Sequence, residues 1–173
     1  MKKSNVILIG MPGAGKSTVG VILAKRIGYD FVDTDLVIQA RAAKSLQAVI
    51  NEQGLEAFRK IEEEVLLELE VERTVIATGG SAVYSRLAMT RLKKDGIAVF
   101  INTPLQILQS RIADMSSRGM VISPGKSFAD LFVERNPLYH QYADFVIDDQ
   151  GKTVEMTAEE IAQSLEAQTA GKG

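Results

Sequence analysis

The chain has no cysteine and one histidine, His140, among its 173 residues. Disulfides and thiolate-held metals are therefore excluded, and a lone imidazole cannot build a histidine zinc site. Any metal must be a hard cation on oxygen ligands. Long apolar runs are also missing: Lys2 and Lys3 precede residues 6–9, a stretch far too short for a signal-peptide core or a membrane span, so a cytoplasmic location is expected. Neither sign of charge dominates. With 20 basic and 22 acidic side chains the net charge is -2, which provides no bulk attraction to nucleic acid or membrane and leaves a small molecule as the expected partner. A hydrophobic content of 46% over this length suits one domain with a real core. A single domain over residues 1–173, acting as a monomer, is the expectation.

Apolar runs of strand length alternate with longer helical patterns, the mark of an α/β fold with a parallel sheet and helices on both faces. Strands are predicted at residues 5–9, 30–32, 74–77, 97–101 and 145–147. Val19, Leu23 and Ile27 form the buried stripe of a first helix that stops at Gly28. Ser45 can cap a short helix to Gln53, Gly54 breaks it, and residues 55–70 follow as a longer helix with Phe58, Ile61, Val65 and Leu69 inward. Glu62, Glu63, Glu64, Glu68 and Glu70 then read most simply as its solvated face. Residues 115–126, "MSSRGMVISPGK", sustain no period and are expected to form a mobile loop. A terminal helix is predicted over 157–168.

The strongest chemical signal is "GMPGAGKST" at residues 10–18, a full match to G-x-x-x-x-G-K-[ST] placed after a strand and at the opening of a helix. In such a loop the backbone around Gly13, Ala14 and Gly15, continuing through Thr18, turns its N–H groups toward an anion, and the helix N-terminus adds its dipole. Lys16 is placed to reach the β and γ phosphates of a nucleotide, and the Ser17 hydroxyl to ligate Mg²⁺. A nucleoside triphosphate is the expected ligand.

Other residues narrow the class. A guanine reader of the Asn-Lys-x-Asp type is missing from "INTPLQ" at residues 101–106, and the chain is small for a transport ATPase. A small kinase remains. Asp33 and Asp35, in "FVDTD", lie near the end of a predicted strand, where residues i and i+2 share a face. Phosphoryl transfer needs one carboxylate near the metal and another on the acceptor hydroxyl, and Mg²⁺ with Lys16 would offset their repulsion. The plain alternative makes Asp35 the N-cap of a helix starting at Leu36. Arg59 could simply pair with Glu62 or Glu63 along its helix. Together with Arg135, however, it offers a clamp for a planar carboxylate, and Gly79 and Gly80 in "ATGGSAVY" follow the third strand where ligands of open parallel sheets bind.

These motifs, "GMPGAGKSTVG", "FVDTD", "FRKIE", "VIATGG", the Arg118 segment and "ERNPLYHQYADFVID", resemble the shikimate kinase family in order and over most of the chain. The resemblance implies a P-loop NTPase three-layer sandwich with a five-stranded parallel sheet in the order 2-3-1-4-5. It implies transfer of the ATP γ-phosphoryl group to the 3-hydroxyl of shikimate, with an acceptor-binding helical region at about 35–62 and a lid at about 115–126. By the same resemblance Asp35 contacts the acceptor hydroxyls and Asp33 sits near Mg²⁺ through water. Arg59, Gly79, Gly80 and Arg135 hold shikimate, Arg118 reaches the transferring phosphoryl group, and Arg111 stacks on adenine; Lys16, Asp35 and Arg118 are the catalytic set. His140 has no role in this scheme and is expected at the surface. Two positions depart from the family pattern. Ser81 stands where a third glycine is usual, and Arg118, Gly119, Met120 and Val121 stand where the lid usually reads Arg-Pro-Leu-Leu. Two other readings stay open: a kinase of the same architecture acting on a hydroxy acid such as homoserine, and a nucleotide-binding regulator without catalysis.

Overall fold

Strand β1, Asn5–Ile9, is buried along its whole length in a computed structural model of the protein, which describes residues 4–113 and 125–170. Ile7, Leu8 and Ile9 have no solvent exposure at all, each contributing roughly 1.5–3 kcal/mol of apolar burial. A strand apolar on both faces belongs at the centre of a parallel sheet covered by helices on both sides. The sheet confirms this: five parallel strands run in the order β2-β3-β1-β4-β5, with β2 at Asp30–Asp33, β3 at Thr74–Ala77, β4 at Gly96–Asn102 and β5 at Phe145–Asp148. All five predicted strands are found, and their ends differ from expectation by no more than one residue. Ile7 pairs with Ile76 on one side and Ala98 on the other, while the short strands β2 and β5 form the edges. Asn5 stitches the entry of the sheet by donating to the Val71 carbonyl at 2.7 Å and accepting from the Thr74 N–H at 3.1 Å.

Helix α1, Lys16–Ile27, buries Val19 and Leu23 as its stripe requires, and Gly28 ends it in the left-handed conformation with its N–H on the Ala24 carbonyl. The C-terminal helix α8, Val154–Ala170, packs against it and begins three residues before its predicted start. Helix α2, Thr34–Ala42, follows β2 without a loop, which corrects the reading of the paired aspartates. The strand stops at Asp33, and Asp35 lies in the first helical turn, so strand alternation does not relate them. Asp33, and not Asp35, is the N-cap: its side chain accepts from the Asp35 N–H at 3.0 Å.

Helices α3, Leu46–Gln53, and α4, Leu55–Glu68, complete the region at 35–62; Ser45 caps α3 as predicted, and α4 ends two residues short of expectation. Ile38, Val49, Phe58 and Val65 tie α2, α3 and α4 into a small core of their own. A 3₁₀ turn at Ala82–Tyr84 leads into α5, Arg86–Asp95. Helix α6 spans Leu105–Ala113, and α7 spans Phe128–Tyr142, opened by a reciprocal Ser127–Asp130 capping box worth about 1 kcal/mol. Most of the expected lid, Arg118 included, lies outside the described residues. Among the described residues no helix is long and apolar enough to cross a membrane.

Candidate active site

The carboxyl ends of β1, β2 and β3 deliver the loops after β1 and β3 and the start of α2 to one side of the sheet, the location where open parallel sheets bind ligands. The loop after β1 carries Gly13 at φ 85° and Gly15 at φ 84°, left-handed conformations that a Cβ would strain, and Gly15 opens α1 with no side-chain cap. The helix N–H groups are thus left without a side chain to satisfy them, as an anion cradle needs. Lys16 is buried and donates to the carbonyls of Gly10 at 2.7 Å and Met11 at 2.9 Å, folding its ammonium back over its own loop. Burial lowers its pKa to about 8 against the opposing pull of Asp35. Ser17 and Thr18 are exposed at the start of α1.

The loop after β3 is held on both flanks. The Gly79 N–H donates to Thr34 Oγ1 at 3.2 Å, and the Tyr139 hydroxyl, its pKa raised by burial, donates to the Gly80 carbonyl at 2.7 Å. A Cβ on Gly79 would lie 2.8 Å from Asp35 Oδ1 and closer still to Glu62 Oε1. A side chain there would have to displace one or both carboxylates, and Asp35 and Glu62 converge on one patch of backbone.

Glu62 overturns the expected solvated face of α4. It is 3% exposed, while Glu64 and Glu68 of the same helix are exposed and Glu63 is half-buried with the Ser85 hydroxyl donating to it. Ser81 Oγ donates to Glu62 Oε2 at 2.5 Å, and Glu62 Oε1 is buried without a hydrogen-bond partner. Burial first, with Asp35 adding to it, pushes the Glu62 carboxyl up to about 7 despite the Ser81 bond and the two arginines. The departure at Ser81 is thus partnered: its hydroxyl is spent on an acid of the wall.

Arg135 is 1% exposed on α7, and Arg59 lies on α4 with its Nε buried and lacking a hydrogen-bond partner. Both guanidiniums meet one ring, that of Tyr84, at 4.4 Å (Arg59) and 5.2 Å (Arg135) from its centroid. The structure therefore brings the predicted arginine pair together, but through a residue the sequence reading passed over. Arg111 on α6 donates to the Gly13 carbonyl at 3.2 Å and forms an ion pair with buried Asp149 at 2.9 Å, which also accepts from Thr103 Oγ1. Asp149 was missed as well, since an acid just past the last strand carries no motif. His140 is exposed, with the edge of its ring against Phe100, as expected of a residue outside the site.

One cavity of about 560 Å³ connects these parts: the loop at Gly13–Lys16 and Arg111 line one portion, and Asp35, Glu62, Gly79, Gly80 and Arg135 line another. Arg59 lines a neighbouring cavity of about 220 Å³, which shares Glu62 and Ser81 with the first. A phosphate cradle that opens into the same space as acids and arginines can carry a phosphoryl group from a nucleotide to a polar acceptor. The fold and this site define a small kinase of the P-loop class.

Comparison with known proteins sharpens the class. The sequence model of the family described as shikimate kinase matches residues 12–166. The shikimate kinase of Thermodesulfovibrio yellowstonii is 38% identical over 97% of this chain and 98% of its own length, and that of Paracidovorax citrulli is 40% identical over 94% and 92%. Among solved structures, the Acinetobacter baumannii shikimate kinase in complex with shikimate superposes with a TM-score of 0.89 at 30% identity, covering 95% of this chain and 94% of the other. The Aquifex aeolicus shikimate kinase gives 0.83 at 34% identity, covering 96% and 99%. The chain belongs to the shikimate kinase family.

Proposed function

We propose that the chain transfers the γ-phosphoryl group of ATP to the 3-hydroxyl of shikimate, giving shikimate 3-phosphate and ADP. The observation that carries this reading is the single cavity in which Lys16 and the glycine loop share walls with Asp35 and Arg135. The loop N–H groups and the N-terminus of α1 bind the phosphates, and Lys16, freed from its two carbonyls, follows the charge that develops between the β and γ positions. Asp35 orients the acceptor hydroxyl and accepts its proton as the oxygen attacks phosphorus and ADP leaves. Arg135 and Arg59 take the acceptor carboxylate, with Gly79 and Gly80 admitting its ring close to the backbone. Arg111, held by Asp149, borders the nucleotide portion and offers its guanidinium face to the base. Arg118 is assigned to the transferring phosphoryl group.

The donor set also fits Mg²⁺. Its members near the P-loop are oxygen donors, a hydroxyl and a carboxylate, the hard ligands that Mg²⁺ takes together with phosphate and water. The exposed Ser17 hydroxyl and the Asp33 carboxylate, one of whose oxygens accepts from the Asp35 N–H, would hold it. When bound, the ion neutralises phosphate charge. A cytoplasmic monomer completes the reading.

A homoserine pocket would want an extra acid or carbonyl facing the ammonium group; buried Glu62 lies beside Asp35, but its carboxyl is hydrogen-bonded to Ser81 and pushed up to about 7, so this acceptor is not favoured. Family membership and the arginine pair favour shikimate. A coupled ADP-release assay with Mg·ATP and shikimate, homoserine or no acceptor decides the matter: turnover with shikimate alone is expected, and turnover with homoserine alone would replace the reading.

A further inference from the structure

Tyr84 sits where the two arginines meet, and its contacts are of more than one kind. Its ring lies beneath the Arg59 guanidinium at 4.4 Å and the Arg135 guanidinium at 5.2 Å from the centroid. Its hydroxyl accepts from Arg135 Nε at 3.2 Å and donates to the Glu134 carboxylate, which is also paired with Lys126. That donation matters for direction: with its proton engaged by Glu134, the phenol oxygen is left to face Arg135 as an acceptor. The Arg59 side chain has four rotatable bonds and a buried Nε with no hydrogen-bond partner; the charge of Glu62, three residues on, attracts its guanidinium without fixing its plane, and the aromatic face gives it a surface to lie on. Tyr84 itself is half-buried, follows Ser81 within the same loop and turn, and lines the smaller cavity with Arg59, but does not line the larger cavity with Arg135. It is thus not placed to touch the reacting atoms.

We infer that Tyr84 is the positioning residue of the carboxylate clamp, its ring and hydroxyl setting Arg59 and Arg135 in the geometry that receives the acceptor's carboxylate. Sequentially the arginines are remote, on α4 and α7, and neither helix alone fixes where a long guanidinium side chain points. Contact of both with one aromatic ring restricts that freedom before the acceptor arrives, adding for Arg135 to its hydrogen bond with the Tyr139 hydroxyl, and preorganisation of this kind appears as affinity for the carboxylate. The consequence is selective. Loss of Tyr84 weakens the hold on the acceptor and leaves the nucleotide portion of the site alone.

The inference rests on the proposed shikimate reaction, and its test separates the two. Wild type, Tyr84→Phe and Tyr84→Leu are compared for KM of shikimate, KM of ATP, kcat and Tm, and again with shikimate methyl ester, whose carboxylate is masked. Tyr84→Leu is expected to raise the shikimate KM about tenfold with the ATP KM unchanged, and Tyr84→Phe, which keeps the ring, about threefold. With the methyl ester the three proteins should not differ. A shikimate KM unchanged in Tyr84→Leu, or an equal loss on acid and ester, overturns the inference. Arginine side-chain ¹⁵Nε–¹H NMR spectra of the same proteins without ligands provide a readout independent of the acceptor. The Arg135 Nε–H is expected to exchange faster with solvent in both variants, and the Arg59 signal to shift in Tyr84→Leu alone; spectra identical to wild type overturn the inference even if shikimate is not the substrate. A wild-type protein inactive on shikimate fails the proposed function and leaves the NMR arm to decide on Tyr84.

Discussion

The Ser81 hydroxyl donates to Glu62 Oε2 at 2.5 Å in the wall shared by two cavities, and burial nonetheless pushes the Glu62 carboxyl up to about 7. In the unfolded chain this group titrates near 4.5, so the folded state binds its proton more tightly. The stabilisation that follows is complete below about pH 4.5 and is lost as pH rises through 7. Between about pH 5 and pH 8 the ligand-free protein should lose roughly 2–3 kcal/mol relative to Glu62→Gln, which does not titrate. Urea unfolding of both proteins across that range measures the difference. Ser81→Ala removes a bond that favours the ionised form, and the same loss should then extend to higher pH; a flat Glu62→Gln difference would contradict the buried assignment.

Lys16 predicts proton uptake on nucleotide binding. Its pKa of about 8 in the free protein reflects burial, and phosphates restore a preference for the charged ammonium. Near pH 8 binding of ATP should take up about half a proton, and near pH 6, where Lys16 is already charged, almost none. Calorimetry in buffers of different ionisation enthalpy reads this directly. Lys16→Met should remove the uptake seen near pH 8.

Asp35→Asn retains the size of the side chain and removes its basicity. The expected result is a fall in kcat of about 10²- to 10⁴-fold with the ATP KM little changed. Steady-state kinetics with Mg·ATP and shikimate test it, and turnover at the wild-type rate would remove Asp35 from its role.

Asp149→Ala should act at the other end of the cavity. Arg111 is pinned between Asp149 and the Gly13 carbonyl, and without the acid it is free to leave the P-loop. The ATP KM should rise about three- to tenfold while the shikimate KM stays constant. Equal rises in both would mean that Asp149 only maintains the fold.

How legible these features were in the sequence depended on their range. All five strands and the first helix followed from apolar runs and glycine punctuation, which act within a few residues. Glu62 shows where that reading fails. It sits four residues after Phe58, a turn further along the same inward stripe, but an acid inside "IEEEV" reads as surface because charged groups are rarely buried without partners. Its partner, Ser81, is 19 residues away in the chain. The paired aspartates failed differently: the absence of a loop between β2 and α2 placed Asp33 in the strand and Asp35 in the helix, a boundary that propensity locates poorly.

By itself the sequence determined the glycine loop between β1 and α1, because its conformation rests on contiguous backbone. It also determined the class of sheet, through the alternation of buried strands and helices. Only the tertiary structure decided which distant side chains meet: Ser81 with Glu62, Arg111 with Asp149, and Tyr84 with both Arg59 and Arg135. Those meetings depend on the register of β3 against β1 and on how α4 and α7 pack over the strand ends, and no local periodicity encodes a contact across 51 residues.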